Sequence, residues 1–258
     1  GISAWHLLRQ SNLDLFRRSF QLAAIVGLLA TVLVVLNGHS QAQHMVLAQP
    51  MKMAAAEALF DTESPASFSL FTIGDLSGRR EVFAVRLPTL LSLLSYNQLN
   101  GTVKGVNDRQ QEYQAKFGPC DYVPPTGVIY WTFRLMVGAG FLMLLLAAYG
   151  LFLSLGEMLE VRSRVMALLP FAIILPYLAN SSGWIMTEMG RAPWIVYGLM
   201  KIESGISPSV GAGAVLLSLL GFAVVYGALM VADIYLLAKF ARQPALAAQP
   251  VEGLTAAP

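Results

Sequence analysis

Gly183-Trp184-Ile185-Met186-Thr187-Glu188-Met189-Gly190-Arg191-Ala192-Pro193-Trp194 closes an apolar run that begins at Val165. Here a long uncharged segment meets a carboxylate and a guanidinium three residues apart, as a membrane helix does where it reaches water. Glu188 follows Trp184 by four residues, so the two share a helix face, and Arg191 follows Glu188 at i+3. Charge inside or at the rim of a membrane helix is costly, which makes this pair a candidate functional site. An interfacial ion pair anchored by Trp184 and Trp194 accounts for the same residues. The residue pattern leaves both readings open.

The composition agrees with a membrane chain. Of 258 residues, 56% are hydrophobic and only 12% charged, with mean hydropathy +0.60. Soluble domains carry about 25% charged residues. A net charge of +2 gives no sign of a nucleic-acid partner. Cys120 is the single cysteine, so there is neither an internal disulfide nor a Cys-x-x-Cys motif. Gly1 to Leu8 is apolar without a basic leader. It reads as the tail of a helix rather than a signal peptide, and the chain reads as a fragment.

Outward from the opening stretch, the pattern predicts an all-α integral membrane fold: a transmembrane bundle of four complete spans, the end of a fifth, and one large extracytoplasmic loop. Residues 1–18 end a membrane helix and form a cytoplasmic loop; 19–37 span, being about the 20 residues a crossing needs. Residues 38–127 form the outer loop, in which Met51 to Phe60 reads as an amphipathic helix and Leu87 to Tyr96 as an interfacial apolar patch. Residues 128–155 span again, 156–164 turn, 165–189 span with Pro170 and Pro176 inside, 190–208 form a second outer loop, and 209–238 span. The tail, 239–258, reads as disordered and cytoplasmic. Arg9, Arg17 and Arg18, then Arg162 and Arg164, then Lys239 and Arg242 all fall on one side of this topology, which the positive-inside rule makes cytoplasmic.

Several residues inside this frame can carry chemistry. Arg134 lies about 9 Å into its span and needs a partner or a route to water. Met136 lies about 200° round the helix from it, so the two do not share a face. A methionine there is packing material or a soft ligand. Lys52 and Glu57, five residues apart, stand about 140° apart on a helix and are not an ideal ion pair. His6, His39 and His44 lie at helix ends or at the foot of the loop, and none is assigned as a ligand. Asp233 reads as a snorkelling interfacial acid near Lys239, or as part of a proton path.

Gly183-Trp184-x-x-Thr187-Glu188-x-Gly190-Arg191-x-Pro193-Trp194 resembles the signature of subunit I of the cytochrome bd quinol oxidases, with Ala192 where that family usually has Gln. Phe133-Arg134-Leu135-Met136 resembles that subunit's low-spin heme helix. Lys52-x-Ala54-Ala55-x-Glu57 resembles its quinol-binding loop, here of the short type. The resemblance implies Met136 as a ligand of low-spin heme b iron, with Arg134 beside it. It implies Glu188 as the ligand of high-spin heme b iron, with Arg191 near the propionates and Trp184 against the cofactor. Lys52 and Glu57 would serve quinol oxidation: a carboxylate can take a quinol proton, and a lysine favours the anion. The implied cofactors are two hemes b and heme d, with the His ligands on earlier helices. The implied partners are subunit II, the missing N-terminal helices of subunit I, and membrane lipid, in a bacterial cytoplasmic membrane. The implied activity is a respiratory quinol:oxygen oxidoreductase, with the fragment alone expected to be inactive. The alternatives are a multispan transporter fragment using Arg134, Glu188 and Asp233, and a non-catalytic membrane scaffold.

Overall fold

The computed structural model describes residues 1–75, 79–156 and 164–242. Among them, four helices are long and apolar enough to cross a membrane: Leu13–Ala48, Thr126–Leu155, Met166–Met189 and Ala212–Arg242. The chain divides into two compact units.

One unit comprises Gly1–Leu22, Leu153–Pro170 and the segment from Ser207 onward. Its ordered elements are α1 (Ile2–Leu8), the start of α2 (Leu13–Ala48), α7 (Arg164–Leu168) and α9 (Ala212–Arg242). The buried His6 stacks on Phe16 at 4.0 Å, and its Nε2–H donates to the Ala241 carbonyl at 2.9 Å. No residue of α9 is buried. A helix apolar on all sides belongs in a bilayer or among other helices. The predicted turn around Arg162 and the tail beyond Arg242 lie outside the described residues.

The second unit comprises Ala23–Phe152 and Phe171–Ile206. Here α2 does not stop at Asn37 but continues to Ala48. The predicted outer loop is a folded subdomain. It holds α3 (Pro50–Ala56), an antiparallel hairpin of β1 (Phe68–Asp75) and β2 (Arg80–Leu87), α4 (Leu90–Tyr96) and α5 (Val106–Phe117). Then α6 (Thr126–Leu155) and α8 (Ile174–Met189) run as long helices, and β3 (Trp194–Val196) pairs with β4 (Met200–Lys201).

The two prolines inside the third span act differently from each other. Pro170 falls in a 3-10 turn, Leu169–Ile173, that separates α7 from α8. Pro lacks the N–H for an interior helical bond and clashes with the preceding turn, so the helix breaks there. Pro176 occupies the first turn of α8, where its missing N–H would have had no intrahelical partner.

The amphipathic surface helix expected at Met51 to Phe60 is not what forms. The helix ends at Ala56, and Met51 to Ala56 are all buried. Pro50 stands in its first turn, a position that suits proline. Ala54, Ala55 and Ala56 let neighbouring elements approach closely: Ala54 joins a core with Val106, Tyr122, Tyr130 and Trp194, while Ala55 and Ala56 pack on Ile129 and Met186. The loop is thus built around α3 rather than draped over it.

Candidate functional site

The two charged residues of this segment leave it in different directions. Lys52, only 7% exposed, donates from Nζ to the Thr187 carbonyl of α8 at 3.2 Å. Burial pulls the Lys52 ammonium below its ordinary range; Arg191 adds to that fall and Glu188 opposes it. Glu57, 1% exposed, accepts two hydrogen bonds from the Arg134 guanidinium, at 2.6 and 3.4 Å. The Ser69 backbone N–H donates to the same carboxylate. Burial pushes the Glu57 carboxyl up, and Arg134 pulls it back. The guanidinium also lies 4.8 Å from the Phe68 and Tyr130 ring centres and 5.1 Å from Phe133. Arg134 therefore meets its need for a partner through a residue 77 positions earlier in the chain.

Met136 leaves α6 on another side, as the helical spacing requires. It lines an apolar cavity of about 400 Å3 with Gly38, His44, Met45, Lys52, Phe133 and Met186. Gly183 on α8 faces it so closely that a Cβ there would lie 2.7 Å from the Met136 sulfur. The glycine makes room for the Met136 thioether, a soft donor of the kind that would hold heme iron.

Lys52 also lines a smaller cavity of about 60 Å3 with Gln49, Tyr113, Arg191 and Trp194. The buried Trp194 Nε1 and Gln49 Oε1 have no protein partner there among the described residues. An ammonium, a guanidinium and an unpaired indole N–H together suit a carboxylate, which a heme carries on its propionates.

The opening stretch is thereby split. Trp194 is 6% exposed and stacks on Tyr122 at 5.5 Å. Trp184 is 68% exposed. Glu188 and Arg191 pair at 2.7 Å with 45% and 39% of their side chains exposed. One Glu188 oxygen carries that pair, and the other accepts no hydrogen bond among the described residues. The carboxylate thus retains the capacity of a metal ligand, and Arg191 offsets its charge. The sequence reading missed three participants: the Glu57–Arg134 clasp, the small cavity under Trp194, and Tyr130. The clasp had a signal, since an arginine within a span calls for a counter-charge.

Comparison with known proteins follows the same lines. Residues 1–245 match the family described as cytochrome bd terminal oxidase subunit I. This chain belongs to that family. It is 44% identical over 235 residues to the cytochrome bd ubiquinol oxidase subunit 1 of Bacillus subtilis, covering 90% of this chain and 50% of that protein. It is 31% identical to a putative cytochrome bd menaquinol oxidase subunit I of Bacillus subtilis, covering 94% and 53%. With the cytochrome bd-II ubiquinol oxidase subunit 1 of Escherichia coli it shares 26% identity, covering 94% and 58%. The solved bd oxidase of Geobacillus thermodenitrificans superposes with a TM-score of 0.78 at 29% identity, covering 94% of this chain and 54% of that one. The chain thus spans about half the length of the relatives it matches. Membership of the cytochrome bd subunit I family, with four candidate spans, makes it a membrane protein, and the transporter alternative finds no support.

Proposed function

We propose that this chain is the quinol-side, heme-binding portion of subunit I of a cytochrome bd quinol oxidase, working with subunit II and the remaining helices of subunit I in a bacterial cytoplasmic membrane. One observation carries the reading. Glu57 clasps Arg134 on α6, Met136 lies two residues further along that helix, and Lys52 shares a cavity with Met136.

Heme, when bound, supplies the one-electron acceptor for quinol and the place where oxygen is reduced. The residues here would hold it: Met136 as iron ligand of the low-spin heme b, Glu188 as iron ligand of the high-spin heme b, Arg191 beside the propionates, and Trp184 as a further cofactor-binding residue. Heme d takes its ligand from helices of the longer protein. Quinol must shed two protons with its two electrons. Glu57, raised by burial, is a proton acceptor held in place by Arg134. Lys52 brings positive charge that favours the anionic intermediate. Protons released on the outer side, with oxygen consuming protons on the inner side, build a membrane potential.

The test is optical. In the full complex, Met136→Leu keeps the apolar volume. The low-spin heme is expected to become high-spin. An unchanged low-spin spectrum would remove Met136 from the site.

A further inference from the structure

Glu57 sits where α3 ends, so the form of that end decides where its carboxylate points. The chain closes there in a Schellman turn. The Ala58 N–H donates to the Ala55 carbonyl at 3.1 Å, and the Leu59 N–H to the Ala54 carbonyl at 2.9 Å. Such a turn needs a left-handed residue after the cap, and Ala58 takes that place with a φ of 46°. Glycine usually fills it, because a Cβ disfavours the conformation. Here a side chain from the hairpin holds the turn instead. Arg86 on β2 donates from Nη2 to the Ala58 carbonyl at 3.0 Å, while its Nε donates to Glu81 at 2.8 Å.

Arg86 is also the cross-strand partner of Ser69 on β1. The Ser69 N–H donates to the Glu57 carboxylate, and its hydroxyl bonds the Tyr130 hydroxyl on α6 at 2.9 Å. One rung of the hairpin thus grips this turn twice: at the carboxylate through Ser69, and at the next carbonyl through Arg86. Tyr130 stands one helical turn before Arg134, so the same rung is tied to the helix that carries the counter-charge.

We propose that Arg86 is a positioning residue for the proton acceptor Glu57, fixing the turn that aims the carboxylate at Arg134 and setting a second positive charge near it. The inference rests on the proposed quinol oxidation and concerns how its base is held. Burial raises the Glu57 carboxyl; Arg134 on α6 pulls it down, and Arg86 on β2 does so more weakly. Glu81, the other charge on Arg86, has 39% of its side chain exposed, against 13% for Arg86. Water therefore screens Glu81 more than the guanidinium that faces inward. The competing reading is that Arg86 and Glu81 are only an ion pair stapling the hairpin.

The pH profile of quinol oxidation by the full complex separates the two. A base must be unprotonated to accept, so kcat/KM falls on the acid side of its pKa. Arg86→Gln removes a positive charge, which raises Glu57 and is expected to move the acid limb up by about one pH unit. Within that limb, kcat/KM for quinol is expected to fall about tenfold. Glu81→Gln breaks the ion pair but leaves the bond to Ala58, and is expected not to raise the limb. Turnover with tetramethyl-p-phenylenediamine, which gives an electron without a quinol proton, is expected to stay near that of the parent in both. If Arg86→Gln loses that turnover as well, Ala58→Gly is added to the same chain. Glycine holds the left-handed position without Arg86, and the limb is expected to stay raised because the charge is still missing. An acid limb at the parent's pH in the Arg86 variant that keeps this turnover overturns the assignment. A limb raised equally by Glu81→Gln also overturns it, since loss of the staple would then suffice. If Glu57→Ala leaves quinol turnover intact, the broader reading of the loop fails, whatever the Arg86 variants do.

Discussion

Helices α3 and α9 are opposites. The shorter has seven residues and buries Met51 through Ala56; the longer has 31 and buries none. The hydropathy of α9 is plain in its sequence, and none of its residues is buried among the described residues. The burial of α3 is answered within this chain, by partners on α5, α6 and α8. The contrast separates two kinds of apolar segment: one placed by its solvent, the other by specific contacts. Only the second can hold buried charge, because only fixed partners satisfy it.

The comparison breaks most visibly at the clasp. Arg134→Leu leaves the Glu57 carboxylate buried without its counter-charge, and roughly 3–5 kcal/mol of stability is expected to go. Thermal denaturation of the complex, with proteolysis of the loop, measures it; a loss under about 1 kcal/mol would mean the pair is not buried as described. Next comes packing. Ala55 is 0% exposed, and Ala55→Leu has no space to occupy, so a loss of about 1–3 kcal/mol is expected in the same assay.

Smaller effects lie at the edges. Glu112 on α5 bonds Lys104 and pairs with Arg109 at 2.9 Å, and Lys104 chiefly holds its carboxyl below the usual range. A depressed carboxyl contributes stability above its unfolded value and loses it as pH falls through the folded one. Glu112→Gln is expected to cost about 0.2–1 kcal/mol at neutral pH, and the gap to the parent should close on acidification. Smallest of all is Leu217→Ala on α9, where the side chain is 74% exposed. A change within about 0.5 kcal/mol is expected, against several for a core leucine. A larger loss in the assembled complex, with none in the isolated chain, would identify Leu217 as a contact to another subunit.

The membrane helices were legible because hydropathy over some 20 residues is a local property. The interior of the loop was not. Lys52 and Glu57 at the two ends of α3 give the appearance of a solvated helix, yet their partners lie 135 and 77 positions away. Nothing local announces such contacts. The role of Pro176 was not legible for a related reason: it depends on where the helix starts, and Pro170 decides that. Arg134, Met136 and Glu188 stood out as candidates by residue type and resemblance, whereas Tyr130, whose ring lies against the Arg134 guanidinium, carries no signature at all.

The continuation of α2 has a geometric consequence. Its 36 residues make a rod of about 54 Å, some 24 Å longer than a hydrocarbon core of about 30 Å. Only Gln49 separates the rod from α3, so the rod sets both the height and the azimuth of the charged pair. One residue inserted between Gly38 and Ala48 would lift everything beyond it by about 1.5 Å and turn it by about 100°. Lys52 and Glu57 would then point away from Thr187 and Arg134 together. The projecting part of α2 is therefore a fixed-length spacer, in which substitutions are absorbed more readily than a change in residue count.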